Sequence, residues 1–153
     1  MTIRVRFAEE KDAFALVGFN RAMAMETEGK PLDVEILKKG VNAVFQDIGK
    51  GFYVVAEEIK TDEKVVGCLM ITFEWSDWRN AWFWWIQSVY VMPEYRKQGI
   101  YRRLYEFVKE EARKSGNVCG FRLYVDRNNK VAQQAYEKLG MKESNYIMFE
   151  EFL

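Results

Sequence analysis

The residues best suited to chemistry fall in one passage, Val89-Tyr90-Val91-Met92-Pro93-Glu94-Tyr95-Arg96-Lys97-Gln98-Gly99-Ile100-Tyr101-Arg102-Arg103. An apolar stretch ends at Pro93, and a short basic loop runs directly into a helical pattern. The first N–H groups of a helix have no partner within it and carry partial positive charge, so such a turn can hold an anion. Gly99 lets a phosphate approach the backbone, and Arg96, Lys97, Arg102 and Arg103 crowd the same end. This pattern predicts a site for a phosphate-bearing cofactor; a solvated basic helix start is the plainer alternative. The chain has no histidine among its 153 residues. Ser-His and Cys-His nucleophile pairs and His-containing zinc sites are therefore excluded. Proton transfer falls to Glu, Asp, Lys, Tyr, Cys or water.

The elements that must position this passage follow from hydrophobic spacing. Residues 2–7 alternate as a short strand, and 9–28 read as a helix stopped by Gly29-Lys30-Pro31. A second helix starts near Asp33, with Leu37, Val41, Val44, Phe45 and Ile48 on one face. Phe52, Val54 and Ala56, then Val65 to Phe73, alternate about a turn at Thr61-Asp62-Glu63. The run Ala81 to Val91 does not alternate, as expected of a central strand buried on both faces. A helix over Gly99 to Ser115, a strand over Val118 to Val125, a helix around Ala132 to Leu139 and a last strand over Met141 to Phe152 complete the order βααβββαβαβ. This is an α/β (α+β) fold on a mixed sheet, read as a single domain spanning 1–153.

Composition sets the setting. At 49% hydrophobic residues the chain can bury a core, and 23 basic against 23 acidic side chains leave no net charge to attract nucleic acid. Cys68 and Cys119 are expected to be reduced and buried. The N-terminal residues lack an apolar signal core, and no run approaches the ~20 residues that span a bilayer. A cytoplasmic protein without a membrane or nucleic-acid partner is expected.

With both motifs in view, the chain resembles the GNAT superfamily of acyl-CoA-dependent N-acetyltransferases. Arg96-x-x-Gly99-x-Tyr101 after Val91-Met92-Pro93 is similar to that family's acyl-CoA signature. Asn129-Lys130-Val131-Ala132-Gln133-Gln134-Ala135-Tyr136-Glu137-Lys138-Leu139-Gly140-Met141 is similar to its second motif. The resemblance implies acetyl-CoA as co-substrate, no metal, and a primary amine that attacks the thioester directly in a ternary complex. It implies that backbone amides from Lys97 through Gln98, Gly99, Ile100 and Tyr101 to Arg102 hold the pyrophosphate, with Arg96 opening the signature. Val89, Tyr90 and Val91 would run beside pantetheine where this strand splays from Val118–Val125. The Val89 N–H would stabilise the oxyanion. Asn129 would contact CoA, and the Tyr136 phenol would protonate the departing thiolate. Tyr136 also shares an apolar stripe with Ala132 and Leu139, where packing alone explains it.

Two positions depart from the family pattern. Tyr101 stands where the signature has a small residue. Gln87 stands where many relatives place a glutamate, and an amide cannot act as base. Beyond Val89, Glu26, Glu28, Trp85 and Gln87 are the candidates for holding the acceptor, a small-molecule amine. Trp85 is favoured because it shares a strand face with Gln87. Counting hairpin pairs about Asp77 puts Glu74 opposite Ala81, too far at ~3.4 Å per residue to touch the thioester. Gln87 and Tyr101 keep open a second reading, a CoA-binding sensor without catalysis. Gly51-Phe52-Tyr53-Val54 faintly echoes a base-stacking strand, which the zero net charge opposes. The segment Tyr146 to Leu153 could pair across a two-fold axis in a homodimer.

Overall fold

The computed structural model describes all residues, Met1–Leu153, in two compact units, Met1–Leu123 and Tyr124–Leu153. The first unit contains β1 (Ile3–Phe7), α1 (Ala13–Glu28), α2 (Val34–Gln46), β2 (Phe52–Glu58), β3 (Lys64–Ser76), β4 (Ala81–Val91), α3 (Ile100–Ser115) and β5 (Val118–Arg122). These strands form one sheet in the order β1-β2-β3-β4-β5, antiparallel except for the parallel pair β4–β5. The mixed sheet and the order of its elements match expectation as far as β5.

The two faces of the sheet are covered differently. Tyr53, Val55, Cys68 and Tyr90 meet Leu16, Val17 and Phe19 of α1 and Val41 and Val44 of α2. On the other face α3 buries Ile100, Leu104, Tyr105, Val108 and Ala112, whose spacing keeps them on one stripe. That face is aromatic. Phe52, Phe73, Trp84 and Phe121 meet edge to face or tilted at 5.3–6.2 Å, and Tyr105 of α3 packs on Phe121 at 5.6 Å. Each fully buried large apolar side chain contributes about 1.5–3 kcal/mol, and Leu16, Leu69, Ile71 and Leu104 are fully buried.

α1 begins four residues later than residue 9, after a 3-10 turn at Glu10–Asp12. The cause is Asp12, whose carboxylate is turned inward to accept from Arg6 at 2.8 and 3.0 Å and from the Glu9 N–H at 2.7 Å. Arg6 also reaches Glu57, as does Arg4. Burial alone would raise the pKa of Asp12 and Glu57. The arginine bonds outweigh it, and both carboxylates sit below their ordinary values.

The second unit holds α4 (Lys130–Lys138), capped by Asn129, whose side chain accepts from the Ala132 N–H at 3.2 Å. No strand follows it. The last strand expected over Met141 to Phe152 is absent, and the order is βααβββαβα. Strand propensity alone does not fold a segment whose N–H and C=O groups find no neighbouring strand. β5 likewise stops at Arg122 rather than Val125. Cys68 is buried as expected, and burial pushes its thiol up to about 12. Cys119 is exposed instead, because β5 is an edge strand. No helix is long and apolar enough to cross a membrane.

Candidate active site

β4 carries the geometry on which the site depends. It pairs with β5 only from Trp82 to Trp85, opposite Val118 to Arg122, and then runs on to Val91 without that neighbour. On its other side the register with β3 slips. Met70 pairs with Gln87, but Cys68 pairs with Tyr90, so Ser88 and Val89 together oppose Leu69. This is a β-bulge, and Ser88 takes φ +51° within it. The extra residue frees the backbone at Val89 from the regular ladder. It also shifts the alternation, so Gln87 and Tyr90, three apart, face the same side.

From Val91 the chain turns through Pro93–Tyr95, with the Tyr95 N–H donating to Met92 O at 2.8 Å, and enters the loop before α3. Lys97 and Gly99 both lie in the left-handed region, at φ +62° and +79°. Reversals of handedness at a helix entrance turn successive N–H groups into one concave row. The first intrahelical bond of α3 runs from the Arg103 N–H to Gly99 O at 3.1 Å, so the N–H groups of Ile100, Tyr101 and Arg102 precede it. A Cβ placed on Gly99 would meet nothing within 4 Å, so the space beside Gly99 is open. Gln98 donates to Glu94 O at 3.2 Å, within the loop. Tyr101 stands on the helix with its ring parallel to that of Tyr105, 4° apart and 6.1 Å between centroids. A large residue is thus accommodated where the family has a small one.

The expected cofactor residue Arg96 and the expected acceptor residue Glu26 meet each other. The Arg96 guanidinium donates to Glu26 Oε2 at 2.8 Å and to Val91 O at 2.8 Å, and lies 5.3 Å over the Tyr90 ring. The Tyr90 hydroxyl donates to Glu26 Oε1 at 3.1 Å, while its ring stacks on Phe19 at 5.3 Å. Burial, then the Glu26 charge, raises the Tyr90 pKa. Gly29, left-handed at φ +63°, closes α1 and holds Glu26 and the exposed Glu28 in its last turn. Beside that turn an open groove of about 370 Å³ is lined by Arg21, Ala22, Met25, Pro31 and Leu32.

Along the same sheet face, Gln87 donates to the Thr72 hydroxyl at 2.7 Å. Trp85, opposite Thr72, donates its indole N–H to Glu74 at 2.8 Å, and Arg122 reaches the same oxygen at 2.9 Å. Arg122 also lies 3.6 Å over the Phe83 ring. Glu74 therefore faces Phe83, not Ala81 as the hairpin count placed it, because the turn is the four residues 77–80 and Ser76 pairs with Ala81. The Trp85 bond above all keeps the Glu74 carboxyl below its ordinary pKa. Counting residues around the turn could have found this register. The Ser88 bulge, Thr72 and the Tyr90–Glu26 bond had no local signal.

In the second unit Asn129 serves as helix cap, and Tyr136 is half-buried on α4. Burial raises the phenol's pKa, so it carries its proton at neutral pH.

The chain matches the model of the Acetyltransferase (GNAT) family over residues 19–141. It is 32% identical over 149 residues to mouse (Mus musculus) thialysine N-epsilon-acetyltransferase, covering 92% of this chain and 84% of that protein. The crystal structure of a possible acetyltransferase from Clostridium difficile 630 superposes with a TM-score of 0.91 at 44% identity, covering 100% of this chain and 99% of that one. The fold is also that of a predicted acetyltransferase from Clostridium acetobutylicum solved with acetyl-CoA (TM-score 0.79, 17% identity, 98% and 96% covered). With its bulged β4, its left-handed loop and these relatives, the chain belongs to the GNAT family of acetyltransferases.

Proposed function

We propose that the protein is an N-acetyltransferase that moves an acetyl group from acetyl-CoA to a primary amine of a small molecule. The observation that carries this reading is the sequence of features along β4: an edge left open past Trp85, a bulge at Ser88–Val89, then a left-handed loop feeding α3. Acetyl-CoA, the co-substrate, supplies the activated thioester. The loop amides before Arg103 would hold its pyrophosphate, and the backbone of Val89 and Val91 would pair with pantetheine. The Val89 N–H would donate to the thioester oxygen as negative charge builds there. The amine nitrogen would bond to the carbonyl carbon as the carbon–sulfur bond breaks, with Tyr136 giving its phenolic proton to the leaving thiolate and regaining one from water. Gln87, an amide bonded to Thr72, cannot remove the amine proton, which passes to water. The whole chain, 1–153, acts as one acetyltransferase domain in this reading.

For the acceptor, the mouse relative's name specifies the ε-nitrogen of thialysine, an amine on a flexible aliphatic chain. Glu26 and Glu28 at the end of α1, and Trp85 beside Gln87, would hold such a molecule. The test is CoA-thiol release from acetyl-CoA over a panel of thialysine, lysine, polyamines and amino sugars, alongside calorimetric titration of acetyl-CoA. Release with one amine supports the transferase. Tight binding without release across the panel would support the second reading, a CoA-binding sensor, which the non-basic Gln87 favours. Failure to bind acetyl-CoA would overturn both.

A further inference from the structure

With the cofactor along Val91 and Val89, the acceptor lies further back on β4, toward the start of that strand. Thr72, Glu74, Phe83, Trp85 and Arg122 share one sheet face with Gln87 there, since Thr72 is paired with Trp85, Glu74 with Phe83, and Trp85 with Arg122. Arg122 is the last residue of β5, where β4 and β5 part. Its guanidinium donates to Glu74 Oε1 at 2.9 Å and covers the Phe83 ring at 3.6 Å. Arg79, from the turn before β4, places a second guanidinium 5.0 Å over the same ring.

These contacts gather two positive charges and one negative, on a face that is to receive an amine. Arg122 and Glu74 are 29% and 44% exposed, so a small molecule can reach both. A polyamine is poorly served by this arrangement, because an ammonium brought to Arg122 meets like charge. A carboxylate there makes the forked, charge-assisted bond that a guanidinium suits best, and Glu74 beside it suits an ammonium. An α-amino-acid group carries that complementary pair on a single carbon.

Spacing sets the rest of the molecule. Glu74 bonds to Trp85 and pairs with Phe83, so the ion pair sits about five residues before Val89. At ~3.4 Å per residue, shortened by the bulge, the two places are about 14–17 Å apart. Contacts of ~3 Å at each end leave roughly 8–11 Å between amine and carboxylate. An extended chain of about six to eight bonds covers that distance, which is the length of lysine.

We infer that the acceptor is an α-amino acid with a second, distal amine on a chain of lysine's length, its carboxylate held by Arg122 and its α-ammonium by Glu74. The distal amine then meets the thioester at Val89. This assignment rests on the acetyltransferase reading above and narrows its acceptor, with Arg122 selecting the amino acid over a plain diamine.

Cadaverine is lysine without its carboxylate, and lysinamide is lysine with that charge blocked. On wild-type protein saturated with acetyl-CoA, kcat/KM should fall about 10- to 100-fold from lysine to either analogue, chiefly through KM. Mass spectrometry should find the acetyl group on the distal nitrogen. Arg122→Gln should bring the lysine-to-cadaverine ratio near one, and Arg122→Lys, which keeps the charge without the fork, should preserve part of it. Equal or reversed preference in the wild type, acetylation of the α-nitrogen, or a ratio unmoved in Arg122→Gln would overturn the assignment. The comparison of lysine with cadaverine needs no variant, so it stands even if Arg122→Gln does not fold. Acetyl-CoA binding without acetylation of any amine would defeat the transferase reading alone. Calorimetric titration of lysine and cadaverine into the CoA-loaded protein then decides: lysine bound at least tenfold tighter upholds the Arg122 site, and equal or absent binding refutes it.

Discussion

Gly99 allows the cofactor loop to be tested apart from the stability of the fold. At φ +79° any other residue is strained by about 1–2 kcal/mol, yet a Cβ there meets no atom within 4 Å. Gly99→Ala and Gly99→Glu should therefore share one stability cost, a fall in Tm of about 2–8 °C in a chain of this size. They should differ in binding. A carboxylate ~6 Å from one pyrophosphate charge costs about 3 kcal/mol at an effective dielectric of 20, and salt and side-chain motion reduce this to about 1.5–3 kcal/mol. Gly99→Glu should thus bind acetyl-CoA about 10- to 100-fold more weakly than Gly99→Ala in calorimetric titration. The contrast should shrink as salt is added. Equal affinities of the two variants, with the expected Tm loss in both, would show that the phosphates sit elsewhere and would sink the assignment of residues 97–102.

Other perturbations test the remaining parts. Tyr136→Phe removes the proton donor while keeping the ring, and kcat should fall about 10²-fold or more with acetyl-CoA affinity held. Because burial raises the phenol's pKa, the wild-type rate should show no falling limb from this group between pH 7 and 9. Glu26→Gln should raise KM for the amine with little change in kcat; as Glu26 and Arg96 are each about 40% exposed, Tm should move by no more than the equivalent of about 1 kcal/mol. Arg6→Ala leaves the carboxylate of Asp12 buried and unneutralised and Glu57 paired with Arg4 alone, and should cost about 3 kcal/mol in urea unfolding at pH 7. Both carboxylates have depressed folded-state pKa values. Their contribution is present above the unfolded value near 4 and is lost as pH falls below it, so wild type and variant should converge in acid.

Long patterned segments are readable from the sequence alone. The largely apolar run of β4 ends at Ala81 and Val91 as its composition implied, and the stripe of Ile100, Leu104 and Val108 announced α3. What escaped was whatever depends on a neighbour. Alternation assumes an unbroken period of two, so it has no means of announcing the extra residue at Ser88 that puts Tyr90 back on the face of Gln87. The strand-like composition of residues 141–152 was legible, but whether such a segment pairs is decided by what lies beside it. Charge spacing suggested Arg96 for phosphate and Glu26 for an ammonium. Only the fold shows these two bonded across 70 positions of sequence. Asp12 read as part of a helix's first turn and is instead the buried acceptor of Arg6, an outcome set by the approach of β1 and β2.

The placement of the indoles gives the molecule a built-in optical reporter. All five tryptophans, at positions 75, 78, 82, 84 and 85, lie in the β3–β4 hairpin and its turn, with Trp84 buried and Trp78 87% exposed. Emission excited at the red edge of indole absorption therefore originates in one hairpin. Trp85 donates its N–H to Glu74 and shares a face with Gln87, so an acceptor amine settling there would change the brightness and wavelength of that one fluorophore. Substituting the other four with phenylalanine would leave a native single-indole sensor of the acceptor side, with no dye attached.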